Sequence, residues 1–384
     1  MGFLSGRVSY ERFRVSGRSL QQFDQQHVDI LDQYAIGKGG AIGADGVEMG
    51  FTAGGHVLDL DFGLEKNIAN DTLSFGMRVD TNKPPADLVK AYTQLEIDAL
   101  AAQNPSGFAS RRQRSQAKET ALERLDAMGK DGRFRKMQQF SALWDLKQEV
   151  VYFGASSLTA MERFLSLFKE AFDRTLERIT AGTLALGRSA EEGRQRSLED
   201  LEPATFVGPK RKISVAWLDG PFGSRDFLGN EFLLWLWWVT ECRSDTIKLS
   251  DDTSVTCVLN KTLSLECPLN ETGRETISSD APTRLPEAKR AVLGGKWPRK
   301  TGMMISRHDE AYELVLTAES LAVGSASLPK LETDSARAER EERVDQLRHL
   351  TETLDLLFDS YVRRRLSSKW SEDLSAIRRW LEED

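Results

Sequence analysis

Nine basic residues fall within residues 111–136: Arg111, Arg112, Arg114, Lys118, Arg124, Lys130, Arg133, Arg135 and Lys136. Four acids stand against them: Glu119, Glu123, Asp126 and Asp131. The stretch is therefore +5 in a chain of formal net charge −7, and the remainder carries −12. So many charges belong at the surface, whatever the rest of the chain folds into. A local reversal of sign lets a protein hold a polyanion at one place while its remaining surface does not. Phe134 stands inside the last basic cluster, where a solvated loop would normally hold no aromatic ring.

The pattern around this stretch is helical. Pro84 and Pro85 open a helix at a position where proline costs little. Leu88, Ala91, Leu95 and Leu100 follow at roughly helical spacing. Asn104, Pro105, Ser106 and Gly107 break it. Ser110 is a good cap for a second helix running to Met128, with Gly129 ending it. On that helix Arg111, Arg114 and Lys118 share one face, and Leu122, Leu125 and Met128 form an apolar stripe. Residues 84–136 thus read as a basic helical arm.

The flanking chain alternates strands and helices. A strand at 6–15 presents Val8, Tyr10 and Phe13. Ser19 caps a helix to Tyr34, with Phe23, Val28, Ile30 and Leu31 available for burial. Strands follow at 47–52 and 72–80. A hairpin pairs 140–145 with 149–153. Ser157 then caps a helix to Phe172 whose core face is Leu158, Met161, Leu165 and Phe168, and a strand follows at 176–180. This order predicts an α+β fold with antiparallel sheets and packed helices, and not a parallel Rossmann sheet. Residues 187–212 are polar and poor in large apolar side chains, which predicts a linker after a first region at 1–186. A second α+β domain is expected at 213–332, with short strands and a hairpin turning at His308, Asp309 and Glu310. Within it, Trp235, Trp237 and Trp238 lie among apolar neighbours and read as a core helix. Residues 333–384 read as C-terminal helices, with Leu347, Leu350, Leu354, Leu357 and Tyr361 as one apolar stripe and Trp370, Leu374, Ile377 and Leu381 as another. The first stripe reads as bundle core in preference to a coiled-coil dimer.

Catalytic and cofactor signatures are missing. Gly37, Gly39 and Gly40 begin a dinucleotide fingerprint, but the next required glycine is Ile42, and the loop precedes a strand. Gly294, Gly295 and Lys296 lead into Trp297, where a phosphate loop needs Ser or Thr. His27, His56, His308 and His349 are far apart in sequence. Asp59 and Asp61 alternate in a possible strand and read as solvent-facing. Cys242, Cys257 and Cys267 lack metal or redox spacing and read as reduced thiols of a cytoplasmic protein. No apolar run approaches a membrane span, and the opening residues do not read as a secretory signal. The expectation is a protein without catalytic residues, metal or cofactor. Arg124 has Glu119, Glu123 and Asp126 beside it and is neutralised. Arg111, Arg112, Arg114, Lys118, Lys130, Arg133, Phe134, Arg135 and Lys136 remain as the candidate polyanion contacts. Lys210, Arg211 and Lys212 form a second basic group.

The order and spacing of several segments resemble the bacterial recombination-associated RdgC family over about residues 6–180. These segments include the opening strand around Tyr10 and Arg12 and the strand with Glu48, Met49 and Gly50. They continue with the 73–80 strand leading to the helix from Pro84. The resemblance is clearest in Gly132, Arg133 and Phe134, followed by Phe140, Ser141, Ala142, Leu143, Trp144 and Asp145. It extends through Val150, Val151 and Tyr152 to the 156–172 helix. It implies a ring-forming fold: a homodimer whose positive central hole encircles double-stranded DNA with little sequence preference. It also implies restraint of a RecA-type recombinase, a non-enzymatic role in recombination or replication, and a nucleoid location. Arg133 and Phe134 match a family segment that projects towards the DNA channel. Beyond about residue 187 the chain departs from the family pattern. Apart from the resemblance, a protein-protein module of phage or mobile-element type, using its basic arm on an acidic partner, is the alternative expectation.

Overall fold

The computed structural model describes residues 2–17, 20–38, 46–208, 225–330 and 335–383. In chain order its elements begin with β1 (Val8–Ser16), α1 (Gln25–Gln33), β2 (Val47–Thr52), α2 (Leu64–Asn67), β3 (Ile68–Ala69) and β4 (Thr72–Asn82). Next come α3 (Ala86–Ala102), α4 (Arg111–Gly129), β5 (Arg135–Asp145), β6 (Val150–Phe153), α5 (Leu158–Phe172) and β7 (Thr175–Arg178). These are followed by α6 (Ala181–Glu191), α7 (Gln195–Glu199), α8 (Phe227–Cys242), β8 (Thr246–Lys248), β9 (Ser254–Glu266) and β10 (Glu275–Ser279). The chain ends with α9 (Pro286–Leu293), β11 (Trp297–Arg307), β12 (Glu310–Thr317), β13 (Val323–Ser327), α10 (Ala336–Arg365) and α11 (Trp370–Glu382). The fold is α+β, as expected. It divides into two compact units, one of Met1–Phe23, Ile68–Leu73 and Ser141–Asp384, the other of Asp24–Asn67 and Ser74–Phe140.

In the larger unit β1 is bonded along both edges. Val8 and Tyr10 face Ala326 and Val323 of β13, Glu11 to Arg14 face β6, and Phe13 to Ser16 face β7. The unit's sheet runs β10-β9-β11-β12-β13-β1-β6-β5 and is antiparallel throughout. The 140–145/149–153 hairpin forms with Asp145 opposite Val150. The second expected hairpin also forms, with His308 and Asp309 at positive φ in its two-residue turn. Ser157 caps α5 by accepting the Ala160 N–H at 3.2 Å. The buried face of α5 is Ala160, Met161, Phe164, Leu167 and Phe168, while Leu158 is exposed.

α8 is buried at every position from Phe227 to Val239. Trp237 meets Trp380 edge-on at 5.1 Å, and Trp235 lies 5.6 Å from Tyr361. Its tryptophans are core. Each large side chain so buried contributes about 1.5–3 kcal/mol. Gly229 is required here, because a Cβ would lie 1.8 Å from the carbonyl oxygen of Ala318.

The expected linker and separate C-terminal domains are corrected. Between 187 and 208 the chain forms the end of α6 and all of α7, with Leu198, Ala204 and Phe206 buried. α10 is tied to the N-terminal strands. Tyr10 bonds Thr351 at 3.0 Å, Arg12 pairs with Asp355 at 2.7 Å, and Arg343 donates to the Phe3 carbonyl at 2.7 Å. Regions 1–186, 213–332 and 333–384 therefore contribute to one body. The physical reason is that β1 and β13 each need an edge partner, and charges buried on one segment are neutralised by another. A dip in hydrophobicity does not report either constraint.

The smaller unit pairs β2 with β4, Val47 opposite Thr81 through Thr52 opposite Gly76. Phe51 and Phe75 meet edge-on at 5.2 Å in its core. α1 starts at Gln25 and is capped by Asp24, whereas the expected cap Ser19 lies outside the described residues. The glycine loop is described only at its ends. Asp59 and Asp61 lie in a loop and not in a strand, and buried Asp59 accepts from Lys66 at 2.6 Å.

The clearest single dependence in the larger unit is Arg348. Its guanidinium donates to Asp145 at 2.7 Å and to Asp71 at 2.6 Å, and Asp145 is fully buried. Arg348→Ala leaves that carboxylate without its cation. A loss of about 3–5 kcal/mol is expected. Urea unfolding checks this, and a midpoint unchanged from wild type would contradict it.

Candidate nucleic-acid interface

α3 and α4 pack on each other as a helical hairpin. Neither helix supplies a continuous stripe of large buried side chains. α3 has no buried residue, and Ala91 and Leu95 of its expected stripe are exposed. The seam on α4 is Ala117, Ala121, Leu125 and Gly129, spaced four apart. Small residues let two helices approach closely, so Leu122 of the expected stripe is left exposed and Met128 half-buried. Both ends of the hairpin are closed by side-chain amides. At the base Asn82 donates to the Gly129 carbonyl at 2.8 Å. At the tip Asn104 and Gln113 exchange hydrogen bonds at 2.9 and 3.1 Å. Ser110 caps α4 as expected, accepting the Gln113 N–H at 3.3 Å.

This scaffold divides the basic residues into two patches. Arg111, Arg112 and Lys118 are exposed on the first turns of α4. Lys130 and Lys136 are exposed beyond its other end. At 1.5 Å per residue the 19-residue helix places Arg111 about 27 Å from its far end and Lys118 about 17 Å from it. None of these five cations has a hydrogen-bonded or ion-paired side-chain partner among the described residues. The first turn of α4 carries no acid, and Arg111 and Arg112 sit at the positive end of the helix dipole. Cations there cost about 0.3–1 kcal/mol each, so helix stability does not account for them.

The remaining basic residues are engaged. Arg114 turns back to the Ala109 carbonyl at 3.2 Å. Arg124 is neutralised, but from the facing helix: it lies 3.6 Å from Glu96 and 4.9 Å from the centre of the Tyr92 ring. Glu119, Glu123 and Asp126 are instead exposed along another side of α4. Arg133 chelates Asp131 at 2.7 Å and pulls that carboxyl down to about 2. Both groups are half exposed, so the pair opens at little cost. Phe134 is half-buried and lies over Gly129, where its ring would meet an added Cβ at 3.0 Å. Arg135 belongs to an ion-pair network. It donates to Asp80 at 2.8 Å and to Glu48 at 3.0 Å, while Arg78 donates to the same Asp80 at 2.7 Å. Lys210, Arg211 and Lys212 lie outside the described residues.

One exposed residue is not marked by any periodicity of the sequence. Phe108, between the two helices, is 74% exposed. The only hint was an aromatic inside a polar turn, and periodicity has nothing to say about a turn.

A second concave feature lies in the larger unit. A cleft of about 680 Å³ is lined by Glu11, Arg178, Asp226, Arg299, Lys300 and Glu319, among others. Burial pushes the Glu11 and Glu319 carboxyls up. Each is nonetheless held by an arginine, Glu11 by Arg178 at 2.8 Å and Glu319 by Arg299 at 2.6 Å. No group of three or more metal-ligating side chains occurs among the described residues. No described helix is long and apolar enough to cross a membrane. No protein-family model matches the chain, and no curated protein does.

The Asp80 network carries a pH dependence. Burial pushes the Asp80 carboxyl up, and hydrogen bonds from Arg78 and Arg135 outweigh this and hold it below the usual carboxylate value. Its contribution to stability is fully present above the unfolded value of about 3.9 and is lost as pH falls through the lower folded value. Asp80→Asn is expected to lower the urea midpoint at pH 7 and to flatten the decline at acid pH. Parallel stability curves for the variant and wild type, from pH 7 to pH 2, would show that Asp80 carries no such linkage.

Proposed function

We propose that this chain is a non-sequence-specific double-stranded DNA-binding protein that grips phosphates through its helical hairpin. The observation that carries this reading is the set of five exposed cations, Arg111, Arg112, Lys118, Lys130 and Lys136, without acidic partners among the described residues. They stand on a chain whose residues outside 111–136 sum to −12. Phosphate contacts of this kind fix position and carry no sequence information. Arg111 and the base patch, about 27 Å apart, match roughly eight base pairs at about 3.4 Å each, with Lys118 between them. The RdgC resemblance supports duplex in preference to single-stranded DNA. It also supports a homodimeric ring or clamp that modulates a RecA-type recombinase in recombination or replication, in the nucleoid of the cytoplasm. In this reading the chain catalyses nothing. It acts by occupying the duplex.

The same exposed cations support a second reading, in which the basic arm meets an acidic partner protein. Salt-dependent binding to unrelated duplexes separates the two readings. With up to five phosphates neutralised, log K is expected to fall against log salt with a slope of about −4.5. Replacing Arg111, Arg112, Lys118, Lys130 and Lys136 together with Ala is expected to abolish binding at 150 mM salt. Arg135→Ala, which removes a structural ion pair, is expected to lower the urea midpoint with a much smaller effect on the slope. Fluorescence anisotropy on two duplexes of unrelated sequence reads the binding outcomes, and urea unfolding reads the Arg135→Ala midpoint. No binding at 50 mM salt, or full binding by the fivefold variant, contradicts the proposal.

A further inference from the structure

Phe108 stands on a loop built to present it. Asn104 donates to the Phe108 carbonyl at 2.7 Å, and the Ser106 hydroxyl lies 3.4 Å from both the Phe108 amide nitrogen and its carbonyl oxygen. Gly107, just before it, takes φ +68°, a left-handed value that favours glycine. Ala109, just after it, is buried, and its carbonyl accepts from Arg114. The backbone on both sides is therefore fixed while the ring is left in solvent. The same loop leads directly to Arg111 and Arg112, two exposed cations with no acidic partner among the described residues.

An exposed ring beside two free guanidinium groups has the chemistry of a nucleotide reader: apolar face for the base, cations for the phosphates on either side. A ring of this kind stacks on bases of any sequence. In duplex DNA it acts as a wedge at a base step and must unstack that step, which is least costly where a base is already unpaired. A preformed loop also avoids ordering the backbone that carries the ring on binding.

We infer that Phe108 is a base-stacking wedge at the hairpin tip, which directs the chain to duplex DNA containing an unstacked base. This rests on the DNA-binding reading above and adds a substrate preference to it. Arg111 and Arg112 hold the flanking phosphates, and Phe108 occupies the gap between bases.

The test compares two 24-base-pair duplexes, identical except for one unpaired adenine at the centre of the second. Full-length protein is titrated into each, with anisotropy as the readout. Wild type is expected to bind the bulged duplex about tenfold more tightly. Phe108→Ala is expected to bring that ratio to about one, and Phe108→Trp to restore it. Because the side chain is exposed, thermal unfolding of both variants serves as the folding check. Equal wild-type affinity for the two duplexes overturns the wedge and leaves the DNA-binding reading intact. So does a preference that survives Phe108→Ala. Binding to neither duplex overturns both. A ring that instead enters anionic lipid vesicles, with no DNA preference, also overturns the wedge.

Discussion

The larger unit depends on the two bonded edges of β1. A nine-residue strand that meets β13 at one end and both β6 and β7 at the other has few edge groups left for water. This makes the register of β1 a shared constraint. Slipping it by one residue would turn Tyr10 and Arg12 away from α10 and put the Glu11 carboxylate opposite Asp355 in their place. The side chains across β1 fix the same register a second time. Arg12 reaches Asp355 and Tyr10 reaches Thr351, both on α10. The C-terminal helix thereby locks the N-terminal strand. Arg348, on the same helix, neutralises the fully buried Asp145 at the end of β5. Strand pairing and buried charge thus specify the same arrangement, which is the consistency that distinguishes a unique fold from a collapsed chain.

The hairpin of α3 and α4 follows a different economy. Its seam buries alanines and one leucine, so the hydrophobic return per residue is small. What holds it is local: a capping box at Ser110, an amide clasp at each end, and a charge pair between the helices. A hairpin stabilised this way can change its outer residues without disturbing a core. That freedom suits a surface that is written in charge. It also implies low local stability, because few buried apolar contacts resist opening.

Much of this was legible in the sequence, and the misses have specific causes. Ser110 and Ser157 cap where a cap residue precedes an amphipathic run, because capping is a local interaction. The His308–Asp309 turn was legible for the same reason. The stripes on α3 and α4 were not, because in this close-packed seam small side chains are buried and large ones are not. Leu95 and Leu122 are large and exposed, whereas Ala117 and Ala121 are small and buried. Arg135 read as free because Asp80 and Glu48 lie 55 and 87 residues away in sequence. Its network is invisible to any window of neighbouring residues. The boundary expected at 187–212 failed likewise. Composition identifies a polar surface, and two short helices with buried Leu198 and Phe206 can hide beneath one. Phe108 is not legible, because turn residues have no period against which an outlier could show.

The charge on α4 also restricts how a duplex could lie against it. Arg111 and Lys118 are seven residues apart and nearly in line along the helix. Glu119, Glu123 and Asp126 form a second line, roughly a quarter turn away. Along the helix Arg111 is about 27 Å and Lys118 about 17 Å from the base patch, both beyond the screening length of about 8 Å at physiological salt. Each patch must therefore attract phosphates by itself, and the acidic line repels any phosphate brought within a few ångströms of it. A duplex avoids that repulsion on the side of α4 that carries Arg111 and Lys118; Arg112, seven residues before Glu119, lies in line with the acids and offsets them at the tip. Approach from the ridge side places three carboxylates against a backbone bearing a charge about every 1.7 Å. In such a complex the acids of the basic segment would act as a selector of orientation. They leave the net attraction smaller and the angle of approach better defined.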